Sequence, residues 1–446
     1  MSLDKDVLAQ ANMTQTQLMM WTGQMLSGKR PVYNMGFRID IHADLDPELF
    51  RRAFRDVVDA SDILRSVFRY VDGGPRREVQ PPGSIEFEIP VLDFSGKPQE
   101  AAGWMQEQIV KPINLKKRLF NTALLRTGPE SFAWYLCQHH LICDGWSTSN
   151  FIMSVGDRYA QLEAGDNGEF ELPAFGEFVE REVDYYLGEE AAESGQYWEE
   201  VAEHSLPDLS MYGVGEEAGA SDFLRVHRAL GPELINGMKE AVQARVFPAF
   251  SVDQGLFLMM LTALVVQLRL ASGNDLFAIG VCLHHRRTPR EKQTIGPFFV
   301  FSAVRVRFEP DDTFRTLYDR VAREYRKMLR HYRHPVVAQP GGRVWDVTIN
   351  FVNKTFPRFA GRKAGITWLQ SGSYLAQEFV GLQIHHFNEG DGMTAEWDFN
   401  LGIFDSEARR ETAMSDFEQA MRFGLASPDA PLAEHLEVAA ARAAAG

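Results

Sequence analysis

The decapeptide QHHLICDGWS, residues 138–147, ends an apolar run with two adjacent histidines, then sets an aspartate four and a glycine five positions beyond the second. The run before it, SFAWYLCQ at 131–138, is apolar on both faces, as a strand covered from both sides of a sheet would be. Beyond it, Ser147 to Ser149 offer N-caps for a helix carrying Phe151, Ile152, Val155 and Tyr159 on one face. The stretch therefore reads as the end of a buried strand, a tight loop and a helix start.

Three readings compete for His139, His140 and Asp144. As polar caps of a strand end they would need partners, because imidazoles buried without them cost stability. A metal site would use His140 and Asp144 with a third ligand elsewhere. Adjacent residues on an extended strand point to opposite faces, so His139 and His140 rarely share one ion. The third reading is acid–base chemistry, with one imidazole facing a channel while the other histidine and the aspartate hold the loop. Imidazole suits this, since its ordinary pKa of about 6.5 lets it accept a proton near neutrality. A covalent nucleophile is not evident: there is no GxSxG elbow, and Cys143 has no activating cation beside it in sequence. A lone base fits direct transfer of a bound acyl group to an incoming amine or hydroxyl.

Outward from the loop, helical and strand patterns alternate. PELFRRAFRDVVDA at 47–60 places Leu49, Phe50, Ala53, Phe54, Val57 and Val58 at helical spacing, 62–71 alternates toward strand, and Gly73–Gly74 marks a turn. AGDNGEFELP at 164–173 is the best linker, which predicts a first lobe over 1–172 and a second over 173–446 that crosses back to the first. FGEFVEREVDYY and SGQYWEEVA read as helices. A long apolar helix is expected around 251–271, with strands at 276–283 and 344–352; the pair His385–His386 reads as part of a half-buried strand, and the tail AARAAAG as a frayed end. The result is a mixed chain, α/β (α+β), of two similar lobes.

Composition narrows the function. The 446 residues carry 46 basic and 61 acidic side chains for a net charge of −15, which repels phosphate backbones and argues against nucleic acid. Basic residues still cluster in RRTPREK (286–292) and RKMLRHYRH (326–334), read either as solvated surface or as a dock for an anionic group. No run of about 18 apolar residues stands out, so no membrane span is expected. The start, MSLDKDVLAQ, is no secretory signal, and Cys137, Cys143 and Cys282 form no paired framework. A cytoplasmic location follows.

The loop with its neighbours resembles a known family. His139, His140, Leu141, Ile142, Cys143, Asp144 and Gly145, followed by Trp146 and Ser147, match the HHxxxDG signature of the condensation domains of nonribosomal peptide synthetases. MTQTQLMMW (13–21) resembles that family's opening motif through Gln17 and Trp21, with Thr14 in place of Ser. ASDILRSVF (60–68) keeps Leu64, Arg65 and Phe68 of the next. IGPFFVFSAVRV (295–306) is similar to the IGxFVNT segment, and DVTINF (346–351) to a further strand. The likeness covers nearly the whole chain.

It implies two lobes like chloramphenicol acetyltransferase in a V-shaped pseudo-dimer, with a tunnel at their junction. An acyl or peptidyl carrier protein would deliver a thioester on its phosphopantetheine arm; the acceptor, a small molecule or carrier-bound, would enter from the other side. No permanently bound cofactor or metal is implied. The catalytic set would be His140 with His139, Asp144 and Gly145. Asp144 would be salt-bridged to Arg286, or to its neighbour Arg287, and Trp146, Ser147, His284 and Asn350 would contact substrate. The resemblance implies an acyltransferase forming an amide or ester in antibiotic-type secondary metabolism, with chain release by a free-standing enzyme as one expected role. The alternatives are a non-catalytic recruitment module and an epimerisation-type relative. Several positions depart from the pattern: Val300 and Phe301 replace the family's Asn and Thr, ASD replaces RHE, and HYRHPV (331–336) only loosely matches HQDYPF. These departures point to an atypical substrate or to a branch outside ordinary peptide elongation.

Overall fold

The strand that is apolar on both faces lies inside a sheet with a core on each side. Ser131–His139 pairs antiparallel with Asn34–Ile41 on one edge and Phe120–Gly128 on the other. Its residues Phe132, Trp134 and Leu136 join one apolar cluster; Ala133, Tyr135 and Cys137 join another, on the opposite face. Helices Pro47–Ala60 and Gly145–Glu163 pack together over the first cluster, and Pro98–Ile109 covers the second. The computed structural model describes residues 10–215, 222–334, 336, 344, 345, 347–352, 355, 358–372, 379–388, 390 and 392–445.

In order across the first sheet the strands are Arg358–Phe359, Arg362–Leu369, Asn34–Ile41, Ser131–His139, Phe120–Gly128 and Val91–Asp93. Two of them come from late in the chain. The second sheet runs Phe299–Arg307, Leu276–His284, Val347–Val352, Val380–His385, Met393–Asn400 and Phe223–Leu230. Its outer face packs on Val252–Ser272, Pro232–Gln243, Phe314–His331 and Glu407–Ala426. Its inner face looks toward the first sheet: Cys282, Phe301 and Val352 pack against the first sheet's cluster.

Val252–Ser272 is long and apolar enough to cross a membrane, which the sequence reading overlooked, yet 83% of its apolar window is buried. Its near-absence of a polar side reflects helices and a sheet packed around it.

Several boundaries differ from the expectation. Residues 62–65 form a turn, and the strand is only Ser66–Val71. The Asp62 carboxylate accepts from the backbone N–H groups of Phe175 and Gly176 at 2.7 and 2.8 Å, so it serves a distant helix start instead of a ladder. The strand expected at 344–352 is Val347–Val352, and Asp346 lies outside the described residues. The alanine-rich tail belongs to a helix, Leu432–Ala445, with Gly446 outside the described residues. Pro335, in HYRHPV, also lies outside them.

Candidate active site

The loop after Ser131–His139 is pinned at both histidines by their backbones. His139 N–H donates to Leu119 O at 2.8 Å, and His140 N–H to Tyr33 O at 2.9 Å. The His139 ring is 1% exposed and uses both nitrogens. Its Nδ1 accepts from the Leu141 N–H at 3.2 Å, so Nε2 carries the proton and faces Gln24 Oε1 at 3.3 Å. Gln24 is itself oriented, since its Nε2 donates to Gly28 O and Arg30 O. Burial, and then the neighbouring His140, push the His139 pKa down to about 3. His139, with both nitrogens engaged and its neutral form favoured, matches the loop-holding histidine of the acid–base reading.

His140 lies past the strand end, half-buried, with its ring 4.5 Å from that of Phe299. Its Nδ1 is 2.7 Å from Cys143 O. A carbonyl oxygen only accepts, so Nδ1 bears the proton and Nε2 keeps its lone pair. Burial lowers the pKa of this ring from the ordinary value, against the opposing pull of the Asp144 charge and the Cys143 carbonyl. The neutral, proton-accepting form is therefore favoured. The Cys143 thiol is no competitor as nucleophile, because burial and Asp144 raise its pKa well above the usual thiol range.

Asp144, not Ser147 to Ser149, is the N-cap of Gly145–Glu163. Its Oδ1 accepts from Ser147 N–H at 2.6 Å, and Ser147 Oγ accepts from Asp144 N–H at 2.7 Å, a reciprocal capping box. The other oxygen reaches across the sequence. Arg286 Nη1 donates to Asp144 Oδ2 at 2.7 Å and Nη2 to Oδ1 at 3.2 Å, while Phe298 N–H donates to Oδ2 at 2.9 Å. Burial alone would raise the Asp144 carboxyl, but Arg286 and the two backbone N–H groups hold it below the usual carboxylate range. Arg286 also donates to Gly296 O at 3.0 Å. Gly296 has φ +149°, and a Cβ there would stand 2.1 Å from the Phe175 ring, so only glycine lets this turn close.

The remaining positions separate. Ser147, expected to contact substrate, is fully buried and its side chain is engaged in the helix cap. Gly145 has no acceptor on its N–H among the described residues, and a Cβ there would meet only Val352 at an ordinary 3.7 Å. Neither strain nor packing demands glycine at that point. Trp146 donates from Nε1 to Lys292 O at 3.0 Å and packs against the exposed ring of His284 at 5.2 Å. Asn350 lies on the same strand face as Val352, looking toward the junction, and its Nδ2 donates to Gln383 Oε1 at 2.9 Å. Gln24, Gln383 and Phe299 were not singled out from the sequence; glutamine has no spacing signature, and Phe299 only acquires a role through the fold.

With this geometry in view, known proteins supply the lineage. Residues 8–443 match the family described as condensation domain. The chain belongs to that family. Among curated relatives, this condensation domain is 24% identical over 412 residues to the dimodular nonribosomal peptide synthase of Bacillus subtilis (strain 168), covering 89% of the chain but 17% of the synthase. It is 25% identical over 439 residues to the isonitrile lipopeptide synthase of Streptomyces coeruleorubidus, covering 93% of the chain and 28% of that protein. The condensation domain thus spans a minor part of the curated relatives it matches. Its fold is that of a mutant starter condensation domain of rhizomide synthetase solved with C8-CoA (TM-score 0.81, 22% identity, 94% and 96% of the two chains). The first condensation domain of the calcium-dependent antibiotic synthetase is equally similar (TM-score 0.81, 19% identity, 94% and 97%).

Within this condensation domain part of each basic run is engaged in ion pairs. Arg286 holds Asp144, Arg290 pairs with Glu177 at 2.7 Å, and Glu291 pairs with Arg181. In the second run Lys327 pairs with Glu324, and Arg333 pairs with Glu190 and lies 3.7 Å over the Tyr185 ring. Arg286 is buried and so is not solvated surface, while Arg287, Arg290 and Lys292 stay exposed. Of the other histidine pairs, His285 is buried 3.7 Å from Glu182, and His385 ends its strand 2.9 Å from Glu396.

Proposed function

We propose that this condensation domain joins an acyl or peptidyl group, held as a thioester on the phosphopantetheine arm of a carrier protein, to an amine or hydroxyl acceptor. The observation that carries the reading is the fixed tautomer of His140. With Nδ1–H bound to Cys143 O, the Nε2 lone pair is the free end of the ring. The acceptor nitrogen or oxygen attacks the thioester carbonyl, and its proton passes to Nε2. The carbonyl oxygen becomes an oxyanion, for which the unused Gly145 N–H at the first turn of Gly145–Glu163 is a ready donor. Collapse of the tetrahedral intermediate breaks the carbon–sulfur bond. The departing pantetheine sulfur takes the proton from Nε2, leaving an amide or ester and a free thiol.

Asp144 and Arg286 shape this reaction indirectly. By capping the helix and tying it to the turn at Gly296–Phe298, they hold the His140 loop and Gly145 in one arrangement. Asn350 and Gln383, joined side chain to side chain on the inner face of the second sheet, are placed to meet substrate from the opposite wall.

The test is intact-mass detection of product from an acyl-loaded carrier protein, or an acyl-pantetheine mimic, offered a panel of amines and alcohols. Wild type should form a new bond with at least one acceptor, and His140→Ala should lose it. Carrier binding without any product from wild type would favour recruitment or epimerisation instead.

A further inference from the structure

Away from His140, the outer end of helix Gln15–Ser27 borders a cavity of about 290 Å³. Trp21, Phe68, Tyr70, Ile113 and Leu115 give it an apolar lining, and Trp21 and Tyr70 stack with ring centroids 6.0 Å apart. Its rim is cationic. Lys29, Arg30 and Lys116 line it, from the segments GKRP (28–31) and KPINLKKR (111–118), and no acidic residue is among the lining. Among the described residues no carboxylate comes within ion-pair distance of the Lys29 or Lys116 ammonium, although the chain as a whole carries a net charge of −15. Elsewhere this acidic protein pairs its cations freely: Arg158 with Asp56, Arg290 with Glu177, Arg315 with Asp429. Two unpaired ammonium groups over an aromatic-walled hollow are complementary to one kind of ligand.

We propose that this cavity binds a small molecule with an apolar body and an anionic head, the body against Trp21, Phe68 and Leu115 and the head between Lys29 and Lys116. The proposal does not rest on the acyl-transfer reading. It does place the ligand against the side chain that braces His139, because Gln24 lines the cavity. Asn34, also in the lining, is the strand partner of His139. Occupancy would therefore stiffen the wall behind the two histidines. The anionic head can come from a free carboxylic acid or from the phosphate of a pantetheine-type handle.

Titration calorimetry on the full chain with octanoate, octanol, inorganic phosphate and octanoyl phosphopantetheine separates these. Octanoate or octanoyl phosphopantetheine should bind, and octanol should bind at least about tenfold more weakly, the loss of the ionic contacts. Whichever of the two anions binds more tightly names the source. Lys29→Glu combined with Lys116→Glu should weaken the anion about tenfold or more while leaving the thermal midpoint and the octanol affinity in place. Trp21→Ala should weaken anion and alcohol together. Binding of neither anion, equal binding of octanoate and octanol, or an affinity that ignores the double charge reversal would each overturn the proposal.

Discussion

At the scale of single residues, two neighbouring imidazoles are set to opposite tasks by what each nitrogen touches. His140 keeps a lone pair at Nε2 because Cys143 O claims the proton on Nδ1, which suits the proposed base. Its pKa is lowered by burial, so its basic form persists below the ordinary value of about 6.5. The pH profile of kcat/KM for acyl transfer should accordingly show an acid limb of unit slope centred below that value; a limb centred above it would contradict the assignment. His139 speaks through stability instead. With its folded pKa at about 3, the unfolded chain binds the extra proton between about pH 6.5 and that value. Stability should fall with falling pH across that window, by up to about 1.4 kcal/mol per pH unit from this site. Urea unfolding of wild type and His139→Gln at pH 7 and pH 5 measures it, and the variant should show the shallower dependence. The sequence exposes the pair and its aspartate plainly, since no periodicity explains them. It cannot show which ring is buried, because that depends on Gln24 and Leu141 meeting His139 in three dimensions.

At the scale of elements, one short helix start organises the loop. Asp144 and Ser147 both rank as good caps, so local preference does not choose between them. The choice falls to Arg286, 142 residues further on, which holds Asp144 in place and leaves Ser147 to complete the box. That is why the sequence located the helix but misplaced its cap. Ser147→Ala should cost about 1 kcal/mol of stability, read by chemical denaturation. Arg286→Met should cost more, about 3–5 kcal/mol, because it strands a buried carboxylate. Adding Asp144→Asn should recover part of that loss; no recovery would mean the arginine acts through Gly296 O and not through the charge. Gly296→Ala should destabilise the fold outright, since its Cβ would collide with the Phe175 ring. The glycine was visible in IGPFF as a pattern; the collision that requires it was not.

At the scale of the whole molecule, the two sheets are joined by a closed circuit of side chains. Phe37 stacks on Trp368 at 5.7 Å, Trp368 meets Phe387 at 6.1 Å, and Phe387 stacks on His385 at 3.9 Å. His385 Nε2 lies 2.9 Å from Glu396, Glu396 lies 2.7 Å from Arg225, and the Arg225 guanidinium returns over Trp368 at 4.8 Å. Burial would raise Glu396, but Arg225, His227 and His385 hold its pKa down to about 2. Phe37 and Trp368 sit on the first sheet, His385, Glu396 and Arg225 on the second. Trp368→Ala should lower stability by about 1–3 kcal/mol and broaden or split the calorimetric unfolding transition as the sheets uncouple. None of this circuit was legible beforehand: its members are scattered through the chain and share no spacing.

The strand Arg362–Leu369 supplies Asn34–Ile41 with its outer neighbour. During synthesis, the N-terminal residues emerge long before that neighbour exists. Until it arrives, Asn34–Ile41 is an open edge with unpaired backbone groups, the kind of surface on which nascent chains stick to one another. The long wait also raises the share of distant contacts that must form late, which slows folding. The first 172 residues alone would carry that raw edge permanently, so a chaperone, or the chain's own later strand, decides whether the ribosome's early product survives.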